Sequence, residues 1–141
     1  MLTLYYRRFN LIWAALTFIR QTLLFILKDI PVSEDDIDKS GLVMTEYLSN
    51  LLRHSNGEDE AVTLVLSDLG DKIRITLIDP TLYCELLKKG DSEWELDQGE
   101  LVEGGMGLAL IKHYFDDYQY TITQGKNYFS FEVPRLLVKV D

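Results

Sequence analysis

Three polar side chains spaced four residues apart are the part of this chain best suited to chemistry. They are Glu46, Asn50 and His54, in the run Glu46-Tyr-Leu-Ser-Asn50-Leu-Leu-Arg-His54. A helix turns once every ~3.6 residues and rises ~1.5 Å per residue, so this spacing stacks all three on one face, ~6 Å apart. A carboxylate can accept a proton, an amide oxygen can ligate a hard cation, and an imidazole can hold a phosphate or orient a neighbour. Such a stripe, taken alone, is more often the solvated side of an amphipathic helix. Farther on, Gly104-Gly-Met-Gly107 precedes the apolar run Leu108-Ala-Leu-Ile111. A polar helix face and a glycine-rich helix entrance together fit a nucleotide site, although Gly-Gly-x-Gly by itself is more often a loop or cap.

The whole chain sets the bounds. Its 141 residues suit one domain, and 47% hydrophobic with 26% charged residues is ordinary for a globular fold with a real core. Net charge is −9, from 23 acids against 14 bases, and no basic stripe is visible, so nucleic acid is excluded as a partner. The acids cluster at Glu34 to Asp38, Glu58 to Glu60 and Asp91 to Glu103, which reads as solvated loops and helix starts. A lone cysteine, Cys84, rules out an intrachain disulfide and suits a reducing compartment, so a cytoplasmic protein is expected. Phe9 to Ile19 and Gln21 to Leu27 are uncharged, but Arg20 divides them and neither run approaches the ~20 residues of a membrane span.

Those chemical residues need elements to hold them. Leu2 to Tyr6 reads as a short strand, and Asn10 as the N-cap of a helix over Leu11–Lys28 that is apolar nearly all round. Ser33, with Asp36 three residues on, opens a second helix that carries the Glu46 stripe. Ala61 to Ser67 and Lys72 to Asp79 read as strands joined by the turn Asp68-Leu-Gly-Asp71, an antiparallel hairpin. Leu82 to Lys88 reads as a short helix and Lys89 to Gly105 as a polar, acidic loop. Gly107 to Phe115 has helical spacing. Tyr118–Thr123 and Tyr128–Val133 form a second hairpin across Gln124-Gly-Lys-Asn127. Hairpins separated by helices predict an α+β two-layer sandwich, a mixed, mostly antiparallel sheet with helices on one face.

Glu46-x-x-x-Asn50-x-x-x-His54 on a helix, Asp79 closing a hairpin strand, and Gly104-Gly-Met-Gly107-Leu108 before a helix resemble, in this order, the motifs of the GHKL ATPases. That is the fold shared by gyrase-type topoisomerases and histidine kinases. The segment Gly105 to Asp116 and the short length are most similar to the bacterial anti-sigma factor serine/threonine kinases. The resemblance implies an ATP-binding protein kinase whose partners are a sigma factor and a STAS-domain antagonist. It implies Glu46 as the base, Asn50 as a Mg²⁺ ligand, and Asp79 as acceptor of the adenine amino group. Gly104, Gly105, Gly107 and Leu108 would lie at the phosphates, His54 at the end of the same stripe, and Lys89 to Glu103 in the lid.

The sequence also departs from the family pattern. After the aspartate the family usually places glycines, whereas here the run is Asp79-Pro-Thr-Leu-Tyr83, with Thr81 where the first glycine belongs. Glycine permits backbone shapes and close approaches that Thr and Tyr resist. Two readings therefore stand: an anti-sigma-type kinase, and a catalytically degenerate module of the same fold that sequesters a regulatory protein. The apolar first helix predicts a homodimer or a stable partner contact.

Overall fold

The structure, a computed structural model, describes residues 1–54, 60–80 and 105–136, apart from the side chains of 54 and 105–109. Five strands form one sheet in the order β1-β2-β3-β5-β4: β1 (Leu2–Leu11), β2 (Glu60–Asp68), β3 (Lys72–Asp79), β4 (Gln119–Thr123) and β5 (Lys126–Pro134). Every neighbouring pair is antiparallel, so the sheet is not mixed among the described residues. Helices α1 (Leu16–Lys28), α2 (Glu34–His54) and α3 (Gly105–Tyr114) complete the described elements.

Period-two alternation builds the core. Ile73, Ile75 and Leu77 of β3 are fully buried, as are Val62, Leu64 and Leu66 of β2 and Phe129 and Val133 of β5. They join Leu16, Ile19, Leu23 and Leu27 of α1, Val43, Met44, Tyr47, Leu48 and Leu51 of α2, and Ile111 of α3 in one cluster. Helical spacing on one side thus meets strand alternation on the other, a two-layer sandwich.

The sequence misplaces the first connection. The first strand runs to Leu11 rather than Tyr6, and Asn10 is a strand residue opposite Ala61 rather than a cap. A short 3-10 turn, Trp13–Ala15, follows, and α1 starts at Leu16 behind Ala15, without a side-chain cap. Main-chain pairing with β2 outweighs the capping preference of one Asn. Nor is α1 buried all round: Leu16, Ile19, Leu23 and Leu27 face inward, while Phe18 and Phe25 remain 50% and 73% exposed.

The helix carrying the polar stripe is firmly seated. At its start the Asp36 N–H donates to Ser33 Oγ at 3.1 Å, as the capping pattern predicts. Gly41 lets α1 approach, because a Cβ there would lie 3.0 Å from Leu24 Cδ2. On its other flank Lys39 pairs with Asp35 and lies 5.5 Å from the Tyr114 ring of α3. Both hairpins form where the sequence puts them. The second turns on Gln124 and Gly125, with φ of 53° and 75°, the left-handed pair that a two-residue hairpin turn requires.

Candidate functional site

Glu46 and Asn50 lie one above the other on α2, as their spacing requires. Asn50 is buried, at 2% exposure, whereas Glu46 is half-buried. Asn50 Oδ1 accepts a long, 3.4 Å hydrogen bond from Arg53 Nη1. Its Nδ2 has no hydrogen-bond partner among the described residues. A buried amide donor without an acceptor costs ~1–3 kcal/mol, so this Nδ2, without one among the described residues, is a candidate to meet a bound group. His54 ends α2, and its side chain lies outside the described residues.

Asp79 ends β3, where the sequence puts it, and is 1% exposed. Its surroundings are more elaborate than the sequence reveals. The Tyr47 hydroxyl donates to Asp79 Oδ2 at 2.8 Å, and Asn127 Nδ2 donates to Oδ1 at 3.0 Å. The Tyr120 hydroxyl in turn donates to Asn127 Oδ1 at 2.7 Å. Asn127 is directly opposite Asp79 across β3 and β5, and Tyr47 stacks on Phe129 with ring centroids 4.3 Å apart and planes 8° from parallel. Strand register and aromatic stacking therefore hold both donors, and the donors hold the carboxylate. The bond from Tyr47 also ties α2, the helix of Glu46 and Asn50, to the strand end that carries Asp79.

The third sequence element enters through α3. The helix begins at Gly105, two residues before the predicted start, so Gly105, Gly107 and Leu108 all belong to its first turns. Unpaired N–H groups at such a terminus, together with the helix dipole, favour anions. Packing of α3 on α2, with Ile111 in the common core, fixes the helix against α2. Gly104, the Pro80-to-Tyr83 turn beyond Pro80 itself, Cys84 and the predicted lid lie outside the described residues.

Two groups of site residues escaped sequence reading. Arg53 stands three residues beyond Asn50 and brings a cation to its amide, a placement that helical spacing could have revealed. Tyr47 and Asn127 lie 32 and 48 residues from Asp79 in sequence, and only strand register unites them.

A profile of the histidine kinase-like ATPase domain matches residues 13–131, which is most of the chain and spans the whole described site. The chain belongs to the histidine kinase-like ATPase domain family. It is 26% identical over 112 residues to the serine-protein kinase RsbW of Bacillus cereus (strain ATCC 10987 / NRS 248), covering 76% of this chain and 70% of that protein. Among solved structures it resembles the RsbU and RsbW domains of Rv1364c from Mycobacterium tuberculosis, with a TM-score of 0.59 at 16% identity. That match covers 97% of this chain but only 35% of the other, so the chain spans about a third of that protein's length. A chain of the SiaB-SiaC complex from Pseudomonas aeruginosa gives a TM-score of 0.57 at 15% identity, covering 93% of this chain and 89% of the other. The α+β fold is thus that of the family, and the domain is an ATPase-like one similar to an anti-sigma factor kinase.

Proposed function

We propose that this domain binds ATP and transfers its terminal phosphoryl group to a serine or threonine of a STAS-domain partner, in an anti-sigma-type switch. One observation carries the reading: the buried Asn50 amide, whose donor has no partner among the described residues, on the same helix face as Glu46. An amide fits such a task because it offers a carbonyl oxygen to a hard cation and an N–H to a phosphate oxygen at once. Glu46 accepts the proton of the attacking hydroxyl as its oxygen bonds to the terminal phosphorus and the bond from that phosphorus to the ADP oxygen breaks, leaving ADP. Mg²⁺, where Asn50 holds it, would neutralise charge on the phosphates. Arg53 adds a cation beside them. The amides that open α3 at Gly105 and Gly107 receive the anion, and Asp79 takes the adenine amino group.

A second reading keeps the fold without turnover: a binding module that sequesters a regulatory protein. The observation that favours it is the engagement of Asp79 by Tyr47 and Asn127, which commits the adenine-recognising carboxylate to a protein network. Under either reading the domain works as a homodimer, since aromatic side chains of the first strand, the 3-10 turn after it and the first helix stay exposed: Tyr6 at 68%, Trp13 at 55% and Phe25 at 73%.

Transfer of label from γ-phosphate-labelled ATP to a STAS-domain protein separates the readings. The kinase reading predicts a labelled partner with the wild-type chain and none with Glu46→Ala. Unlabelled partner that nevertheless co-elutes with the domain supports the binding module.

A further inference from the structure

The sheet faces the core with one side only. On the other side Thr63, Ile78 and Tyr128 lie opposite one another in β2, β3 and β5, and Val65, Thr76 and Ser130 form the next row. All six are half-buried, and none belongs to the core cluster that the helices join.

Charge on this side is lopsided. Strand register brings four bases to it: Arg8, opposite Thr63; Lys72 and Arg74, in step with Thr76 and Ile78 along β3; and Lys126, in step with Tyr128 along β5. One acid, Glu132, accompanies them, opposite Arg74. The strands thus present here four of the chain's 14 bases and one of its 23 acids, although the net charge is −9. Arg74 Nη2 and Lys72 Nζ share the Glu132 carboxylate, at 2.9 and 3.1 Å, so that corner keeps a positive excess. Arg8 and Lys126 are exposed at other corners. Three strand spacings, ~14 Å, separate β1 with Arg8 from β5 with Lys126. Arg74 lies ~13 Å from Ile78 along β3. The bases therefore frame a neutral floor of hydroxyl, β-branched and tyrosine side chains. They are scattered along the sequence, and only strand register unites them.

We propose that this side of the sheet docks an amphipathic helix of a partner protein, with carboxylates along both flanks of its apolar stripe. A helix fits because its own main chain is satisfied, and the middle of a sheet has no main-chain groups left for an added strand. Its ~10 Å girth lies between the bases, and acids on its flanks reach them. Its apolar stripe takes Val65, Ile78 and the Tyr128 ring from water. A nucleic acid backbone needs cations along a track, whereas these stand at separate corners. A lipid surface needs apolar groups that insert or a dense basic cluster, and the floor side chains are half-buried in the sheet. The docking side is the one turned away from α2 and the Asn50 amide, so it does not rest on the kinase reading.

A nuclear magnetic resonance titration of the full chain tests the surface. The probe is a cross-linked helical peptide of about 15 residues, ~22 Å long, with a leucine stripe flanked on both sides by glutamates. The expected result is movement of the Val65, Thr76, Ile78 and Ser130 amide signals, with binding that weakens as salt rises. Arg8→Glu and Lys126→Glu should each weaken it by roughly fivefold, whereas Lys28→Glu, at the end of α1, should leave it unchanged. Arg8→Gln and Lys126→Gln give the same direction with a smaller loss, should a reversed charge disturb folding. The same peptide with lysines in place of glutamates should not bind. No signal movement, movement confined to other surfaces, equal binding of the lysine peptide, or equal losses from Lys28→Glu would each overturn the docking surface. Tighter binding of duplex DNA or of phosphatidylserine vesicles through the same residues would overturn the helix as its occupant.

Discussion

At the scale of single residues, Asn50 is the point where stability and function pull apart. An amide donor buried without an acceptor costs a folded state ~1–3 kcal/mol, and Asn50 Nδ2 has none among the described residues. Replacing it with a similar-sized apolar side chain, Asn50→Leu, is therefore expected to raise the denaturation midpoint of the unligated chain while removing nucleotide binding. A fall in stability would mean that the amide is already satisfied in the folded protein. Tyr47 acts in the opposite direction. Its hydroxyl donates to a carboxylate that is 1% exposed, so Tyr47→Phe should cost ~1–3 kcal/mol in urea unfolding. No loss at all would show that the bond from α2 to the end of β3 contributes nothing. Glu46 and Asn50 were legible in the sequence because helical spacing alone aligns them, and Asp79 because it ends an alternating strand. Tyr47 and Asn127 were not, because their relation to Asp79 exists only once β3 and β5 are in register.

At the scale of elements, two contacts set how α2 and the sheet are held. Gly41 allows α1 to lie close, with Leu24 Cδ2 3.0 Å from where a Cβ would stand. Gly41→Val forces a branched side chain into that contact and is expected to destabilise by ~1–3 kcal/mol, despite the better helix propensity of any residue over glycine. A stabilised variant would contradict the close α1–α2 contact. On the open face of the sheet, Glu132 of β5 meets Arg74 Nη2 at 2.9 Å and Lys72 Nζ at 3.1 Å. Partial burial pushes its carboxyl up, but the hydrogen bonds and charges of Lys72 and Arg74 outweigh burial and hold it below its ordinary value of 4.5. Asp68 is likewise held down from 3.8, first by the Gly70 N–H and then by Arg135. A depressed carboxyl stabilises the fold above its unfolded value and loses that contribution as pH falls through the folded one. Stability should therefore be flat above about pH 5 and fall below pH 4.5, and Glu132→Gln should flatten that acid limb in pH-dependent melts. An unchanged limb would remove the triad from the account. The hairpins and α2 were readable from alternation, turn residues and the Ser33 cap. The reach of β1 to Leu11 was not, because Phe9 to Leu11 is equally compatible with a helix start, and only pairing with Glu60 to Val62 settles it.

At the scale of the whole molecule, the fold explains how a polar stripe on one helix is held beside a strand end. The sheet and helices enclose one core, and that core positions the Asn50 amide, the Asp79 carboxylate and the start of α3 with little freedom to drift. The same architecture leaves β1, ten residues long, as the outer strand at one edge of the sheet. Membership of the family came from the order of three short motifs along the chain, and it holds across residues 13–131. The central claim is that the Asn50 side of this domain receives Mg-ATP. A thermal melt of the wild-type chain and of Asn50→Leu, each with and without millimolar Mg-ATP, tests it most directly. Binding at 100 times Kd adds ~2.7 kcal/mol of stability, so the account predicts a clear upward shift for the wild type that Asn50→Leu loses. Equal melting temperatures with and without nucleotide in the wild type would contradict it.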